Sequence, residues 1–415
     1  MISEKNFKFF ILILFCFILL SYLHGLSKEI IFSQFTDFDY YYVQSFRLSR
    51  GENIYNNDFI GENLRRQLQK MGAFVDFNFR AFVTHSPAFF LVILPFTLLP
   101  FRSAALLWLF LSHIFLLSSV FLIIKIADGY DKRSYIVPMV LTLVFCFWPL
   151  REEIHMSNPN SAILLLLTLT LYFFKNRKPF LTGLVLSGAL VFRQYFLVLF
   201  LFFLWRREYK VFFYCIFSSL AIEAISFLVW GYTVWASYWQ TIHSFLGQGQ
   251  SPFKNISLMG TIGRVGYGLM PANMLYLFGL ICSLVILFIF LYLSRKPQGQ
   301  INSHLELTFS LGVVSCIAIS PWVHESHYLV LLLPIIITWL NLLKSNNSTI
   351  DKVLFLISFL ALGLRYSLEQ FSLFHVGIFA IFSSGKITGL MILYFLIVRL
   401  VKKSAVEGNL RMREN

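Results

Sequence analysis

An almost uninterrupted apolar run from Phe7 to Leu26 opens the chain. About 20 such residues cross a bilayer core as a helix. Runs of the same kind recur to the end of the sequence. The 415 residues are 58% hydrophobic and only 13% charged, with a mean hydropathy of +0.72. A water-soluble domain cannot hide that much apolar surface, so the sequence implies a polytopic membrane protein. Lipid offers no partner to stray backbone groups, which leaves helices or a closed barrel. The runs lack the ten-residue alternation of barrel strands, so the expected fold is all-α. Candidate spans cover 7–26, 103–126, 134–150, 160–174, 180–193, 195–205, 211–230, 272–293, 304–321, 327–343, 352–366 and 386–401. About 11–13 transmembrane helices are expected, in a single domain over 1–405.

The net charge of +14 is not a nucleic-acid footprint. Its basic residues lie mostly in short links: Lys132 and Arg133, Arg177 and Lys178, Arg206 and Arg207, Arg295 and Lys296, Lys402 and Lys403. That placement follows the positive-inside rule and sets orientation in the cell membrane. Both termini are then cytoplasmic, 406–415 being a cytoplasmic tail. Residues 27–84 form a large first extracytoplasmic loop, and 231–271 a second. Ser86–Pro100 carries Pro87 and Pro95 and is too short to cross, so it is expected to lie at the outer interface or to re-enter. Keeping Lys178 and Arg206 on one side needs two short helices meeting near Arg193. The five cysteines, Cys16, Cys146, Cys215, Cys282 and Cys316, sit in apolar runs without ligand spacing. Phe7–Leu26 lacks a small-residue cleavage site and reads as an anchor.

The polar residues worth chemistry gather on the outer side. Asp37-Phe38-Asp39-Tyr40-Tyr41-Tyr42 follows the first span. An aspartate at a membrane surface can accept a proton from an attacking sugar hydroxyl; the plainer reading is a helix N-cap. An Asp-x-Asp pair also fits a divalent cation, but two carboxylates are a weak signal, and no metal is assigned. Asn158-Pro159-Asn160 is either a rim for sugar hydroxyls or a helix cap. Arg in the middle of a lone lipid-facing helix costs about 2.5–3.5 kcal/mol or more, so Arg193 should face a polar cavity. There it either forks onto a phosphate or pairs with an acid such as Glu223. Asn255-Ile256-Ser257 and Arg264 lie in the second outer loop, and His324-Glu325-Ser326-His327 joins two spans. The two histidines steer a phosphate or hydroxyl as readily as they would hold a metal.

Together these residues resemble glycosyltransferase family 87, membrane enzymes of the GT-C fold that use polyprenyl-phosphate sugars. The likeness begins with Asp37-Phe38, Tyr41-Tyr42, Gly51, Asn53 and Tyr55. It continues through Ser86-Pro87, Leu99-Pro100, Trp108, Asn158-Pro159-Asn160, Gly183, Gly188 and Arg193. It ends with Asn255-Ile256-Ser257, Arg264, Ser320-Pro321 and His327-Tyr328. Ser157 precedes Asn158 where the family has Gly-Gln, and Arg193 stands where it usually has Lys. The resemblance implies an inverting hexosyltransferase, a mannosyltransferase in the first instance, acting at the outer face. It makes Asp37 the catalytic base. Asp39, Tyr41, Asn158, Asn160, Arg193, Asn255, Arg264, His324 and His327 become candidate substrate contacts. The implied partners are a polyprenyl-phosphate sugar donor, a lipid-linked or glycan acceptor and membrane lipids. Neither a cofactor nor a metal is implied. The competing reading is a secondary transporter or lipid flippase with Arg193 and Glu223 along its pathway. The chain shows no visible internal repeat of the transporter kind.

Overall fold

The computed structural model describes residues 4–32, 35–56, 60, 62–73, 85–127, 135–247, 255–295, 302–344, 348–365, 368 and 371–414. The first helices are α1 (Glu4–Phe32), α2 (Thr36–Ser49), α3 (Glu62–Lys70), α4 (Pro87–Ile93) and α5 (Phe101–Ile126). Then come α6 (Ile136–Cys146), α7 (Trp148–Met156), α8 (Asn160–Lys175), α9 (Pro179–Phe192), α10 (Val198–Trp205) and α11 (Tyr209–Gly247). The last are α12 (Leu258–Val265), α13 (Ala272–Leu293), α14 (Asn302–Ile319), α15 (Leu332–Lys344), α16 (Thr349–Gly363) and α17 (Gly385–Glu414). No strand occurs among the described residues. The fold is an all-α polytopic membrane protein.

Among the described residues, six helical stretches are long and apolar enough to cross a membrane: Lys8–Phe32, Phe101–Ile126, Tyr209–His243, Ala272–Leu293, Glu325–Lys344 and Ile378–Val406. Six further apolar helices are shorter, among them Ile136–Cys146, Asn160–Lys175 and Pro179–Phe192. The expected count of 11–13 merges these two classes. Helix α4 and the 3-10 turn Leu94–Leu98 together reach about 20 Å, short of a hydrocarbon core of about 30 Å. The break at Arg193 is also present. Helix α9 stops at Phe192, Arg193 is extended (φ −149°), and a 3-10 turn from Gln194 to Leu197 starts the next short helix.

The segments 27–84 and 231–271 are more helical than the sequence implies. Helix α1 continues to Phe32, and α2 and α3 occupy much of 27–84. Helix α11 runs on through 231–247, kinked at Gly231, whose φ of 80° favours glycine. Helix α17 carries the chain through 406–414 without a break. Residues 74–84 and 248–254, with Lys132, Arg133 and Lys296, lie outside the described residues.

Helices α14 and α15 form the buried centre, fully enclosed at Phe309, Leu311, Val314, Leu332, Leu333, Ile336 and Ile337. Helices α1 and α13 instead expose large apolar side chains, such as Phe17 at 70% and Phe288 at 70%. That is the pattern of lipid-facing helices around a packed centre. Helices α9 and α11 meet along small residues. The Ser187 hydroxyl donates to the Cys215 carbonyl (2.8 Å), and Ser219 donates to Ser187 (3.0 Å). A Cβ on Gly183 would lie 2.6 Å from the Tyr214 Cβ and 2.8 Å from the Cys215 backbone nitrogen. Gly183→Ala should therefore force the two helices apart and cost about 1–3 kcal/mol. A lowered melting temperature and yield of monodisperse protein in detergent would show it. Unchanged values would mean that the seam relaxes freely.

Candidate active site

Helix α2 lies directly after α1 because Phe35 takes a left-handed turn (φ 50°). Its ring is fully buried, with the Arg102 guanidinium 5.1 Å away. Non-glycine residues seldom adopt that conformation, so packing must hold it. Asp37 and Asp39 then fall in the first turn of α2, where the helix dipole favours carboxylates. Two residues apart on a helix, they point about 200° apart. They do not converge on one cation. Asp39 is buried on the Tyr42 side. Burial first, then the Asp39 charge, pushes the Tyr42 hydroxyl up to about 12. Only Asp37 meets the polar cluster.

That cluster is assembled by the α7–α8 junction. Ser157 turns left-handed (φ 54°) and its carbonyl accepts from the Trp108 indole at 3.1 Å. Pro159 follows, so Asn158 and Asn160 are set inward on either side of a rigid corner. Asn158 donates its amide N–H to the Asp37 carboxylate. The Asn158 amide oxygen accepts from Asn160 (3.0 Å) and from Arg193 (3.1 Å). Arg has donors alone, so that contact fixes which way the Asn158 amide points. Asn160 is fully buried and also donates to Glu153 at 2.8 Å. It therefore orients Asn158 and is not itself a surface for ligand.

Arg193 touches two imidazoles as well. One of its terminal nitrogens donates to His85 Nε2 at 2.7 Å, the other to His327 Nε2 at 2.9 Å. A guanidinium can only donate, so both Nε2 atoms accept and both rings carry their proton on Nδ1. Burial, then the Arg193 charge, holds His85 well below the usual imidazole range. Among the described residues no carboxylate lies within 4.0 Å of the guanidinium. The ion pair with Glu223 is not formed. Arg193 Nε is buried without a partner. The site therefore holds a fixed cation whose hydrogen-bond partners are neutral, with its Nε donor unused. Tyr41 stacks edge-on against His85 (5.0 Å between centroids), and burial with the Asp37 charge raises its hydroxyl.

Two members escaped the sequence reading. His85 immediately precedes Ser86-Pro87, and a lone histidine there carried no motif. Glu153 lies inside the polar string Arg151–His155 that leads to Asn158. Helical phase separates them: Trp148, Arg151, Glu152 and His155 share one face of α7, and Glu153 with Ile154 turns inward. Glu153 accepts from the Ser161 backbone N–H (2.9 Å) and from Asn160. Burial pushes its carboxyl up to about 8, opposed by those two hydrogen bonds and by Arg193, and reinforced by Asp37. Below that pH it is protonated. Above it a second carboxylate charges beside Asp37. Activity of the wild type should accordingly fall above about pH 8. Glu153→Gln, which stays neutral, should lose that alkaline limb while showing about tenfold lower turnover, because one amide oxygen replaces two acceptors. An unaltered pH profile in the variant would remove Glu153 from the account.

The remaining candidates stand elsewhere. Asn255 ties two loops together: it donates to the Pro321 carbonyl (2.9 Å) and accepts from the backbone of Ser257 and Val323 (both 3.1 Å). Arg264 is buried beside Ser383 (3.3 Å), and its carbonyl accepts from Gly377 (2.8 Å). His324 packs at 5.8 Å from the His327 ring and 5.5 Å from Trp322. It borders the cluster.

The family model of glycosyltransferase family 87 matches residues 82–321, more than half of the chain. The chain belongs to that family. It is a membrane-embedded glycosyltransferase, and sugar donor and acceptor are its substrates. No curated protein matches it. The matched region of this family 87 member contains Asn158, Arg193, His85 and Glu153, while Asp37 precedes it. His327 follows it.

Proposed function

We propose that this family 87 member transfers a hexose, mannose in the first instance, from a polyprenyl-phosphate donor to a lipid-linked or glycan acceptor, with inversion, at the outer face of the membrane. The observation that carries the reading is Arg193: a cation inside a helical bundle, ringed by neutral acceptors, lacking a carboxylate partner and retaining a buried unused donor. Such a group is stabilised by an incoming anion, and a planar fork suits phosphate oxygens. Asp37 stands one asparagine away. In the proposed step the acceptor hydroxyl oxygen bonds to the anomeric carbon from the side opposite the phosphate. Its proton passes to Asp37. The bond between the anomeric carbon and the phosphate oxygen breaks, and its electron pair leaves with the lipid phosphate, whose charge Arg193 balances. Asn158 holds the Asp37 carboxylate in register. Tyr41 and His327 border the space between them.

Binding tests the donor half of this reading. The full-length protein in phosphatidylcholine nanodiscs should bind a short polyprenyl phosphate, and Arg193→Ala should weaken that binding at least tenfold. The corresponding polyprenol, which lacks phosphate, should bind weakly to both. Equal affinity for alcohol and phosphate would remove Arg193 as a phosphate site.

A further inference from the structure

The outer face of α7 lines a second cavity, unconnected to the hydrogen bonds of the Asp37 cluster. This notch lies between α1, α7 and Arg365, the second residue after α16, and has a volume of about 290 Å³. Two guanidiniums share one aromatic ring in it: Arg151 lies 5.7 Å and Arg365 5.0 Å from the centre of Trp148. The indole N–H is held by Glu152 at 3.1 Å, which fixes the ring. The other acid of the notch, Glu29, is matched with His155 at 3.0 Å. Neither arginine has a carboxylate within 4.0 Å among the described residues, and the hydrogen bond from Arg151 to Ser21 is a long one, 3.4 Å. Stacking on an indole holds a guanidinium face-on and leaves its N–H edge for an acceptor. Two arginines on one ring, with the local acids already engaged, form a receptor for a multiply charged oxyanion.

We propose that this notch is a phosphate-binding site, separate from Arg193, in which Arg151 and Arg365 hold the phosphate of a lipid headgroup. The lipid source follows from the wall: α1 contributes Tyr22, Gly25 and Leu26 to the notch and exposes the apolar Leu23 (47%) next in the chain to Tyr22. An acyl chain on that surface delivers its headgroup to the two cations. The inference does not depend on the donor assigned to Arg193.

The probe is phosphatidic acid, compared with diacylglycerol of the same chains, titrated onto the full-length protein in detergent and read by native mass spectrometry. One tightly held phosphatidic acid is expected. Arg151→Gln/Arg365→Gln should weaken it at least tenfold, and both residues are exposed, so the bundle should persist. Arg151→Lys/Arg365→Lys should lose less, since charge remains without the fork. Arg193→Ala should leave this molecule bound. Displacement by millimolar inorganic phosphate would show that the headgroup alone supplies the affinity; resistance to it would show that the chains contribute; the site stands in either case. Wild-type affinity in the double Gln variant, equal binding of diacylglycerol, or loss of the same molecule in Arg193→Ala would overturn the proposal.

Discussion

Asp37→Asn should lower sugar transfer by about 10²–10⁴-fold with the bundle intact. The amide cannot take a proton from the acceptor. It can still accept the hydrogen bond from Asn158, so the contact between α2 and the α7–α8 junction survives. Asp39→Asn should be far milder, because that side chain faces away from Asn158 and is buried on the Tyr42 side. The comparison needs initial rates at matched amounts of folded protein. Wild-type rates in Asp37→Asn would remove the base from the mechanism. Equal losses in both variants would mean that α2 is needed only as structure.

Arg193→Ala should reduce kcat/KM for the lipid donor by about 10–100-fold, chiefly through KM. Hydrogen bonds to a charged group contribute about 1.5–3 kcal/mol each, and about 1.4 kcal/mol is a factor of ten. The acceptor KM should change little. Arg193→Lys should retain partial activity, since an ammonium keeps the charge but cannot serve His85, His327 and Asn158 from one plane. A structural role makes a different signature: low abundance with a normal donor KM in the surviving protein. That outcome would sink the phosphate assignment and leave the glycosyltransferase family membership untouched.

Much of this fold is legible in the sequence because lipid leaves few choices. Long apolar runs in a bilayer must become helices, and the positions of α1, α5 and α13 follow within several residues. The break at Arg193 was legible for an electrostatic reason, the conflict between Lys178 and Arg206. What residues 27–84 and 231–271 do was not. Residues 36–49 are helical because Phe38 packs on Phe96 of the 3-10 turn and Trp108 of α5, and Tyr42 on Phe101 of α5, and such partners are tertiary facts. The site divides in the same way. Asp37, Asn158, Arg193 and His327 each bring a chemistry that their local sequence displays. Glu153 and His85 become functional candidates only through burial and through what they touch. Asn255 shows the converse: its three bonds to loop backbones use the capacity that a sugar contact would require.

The most direct test of the central claim is transfer by the purified protein in vesicles. The donor is radiolabelled polyprenyl-phosphate-mannose, compared with the nucleotide-activated sugar, and extracted membrane glycolipids serve as acceptors. The account predicts label in the acceptor from the lipid donor alone, with inverted configuration at the anomeric carbon and with dependence on Asp37 and Arg193. Transfer from the nucleotide sugar at an equal or greater rate, or transfer that survives Asp37→Asn, would contradict it.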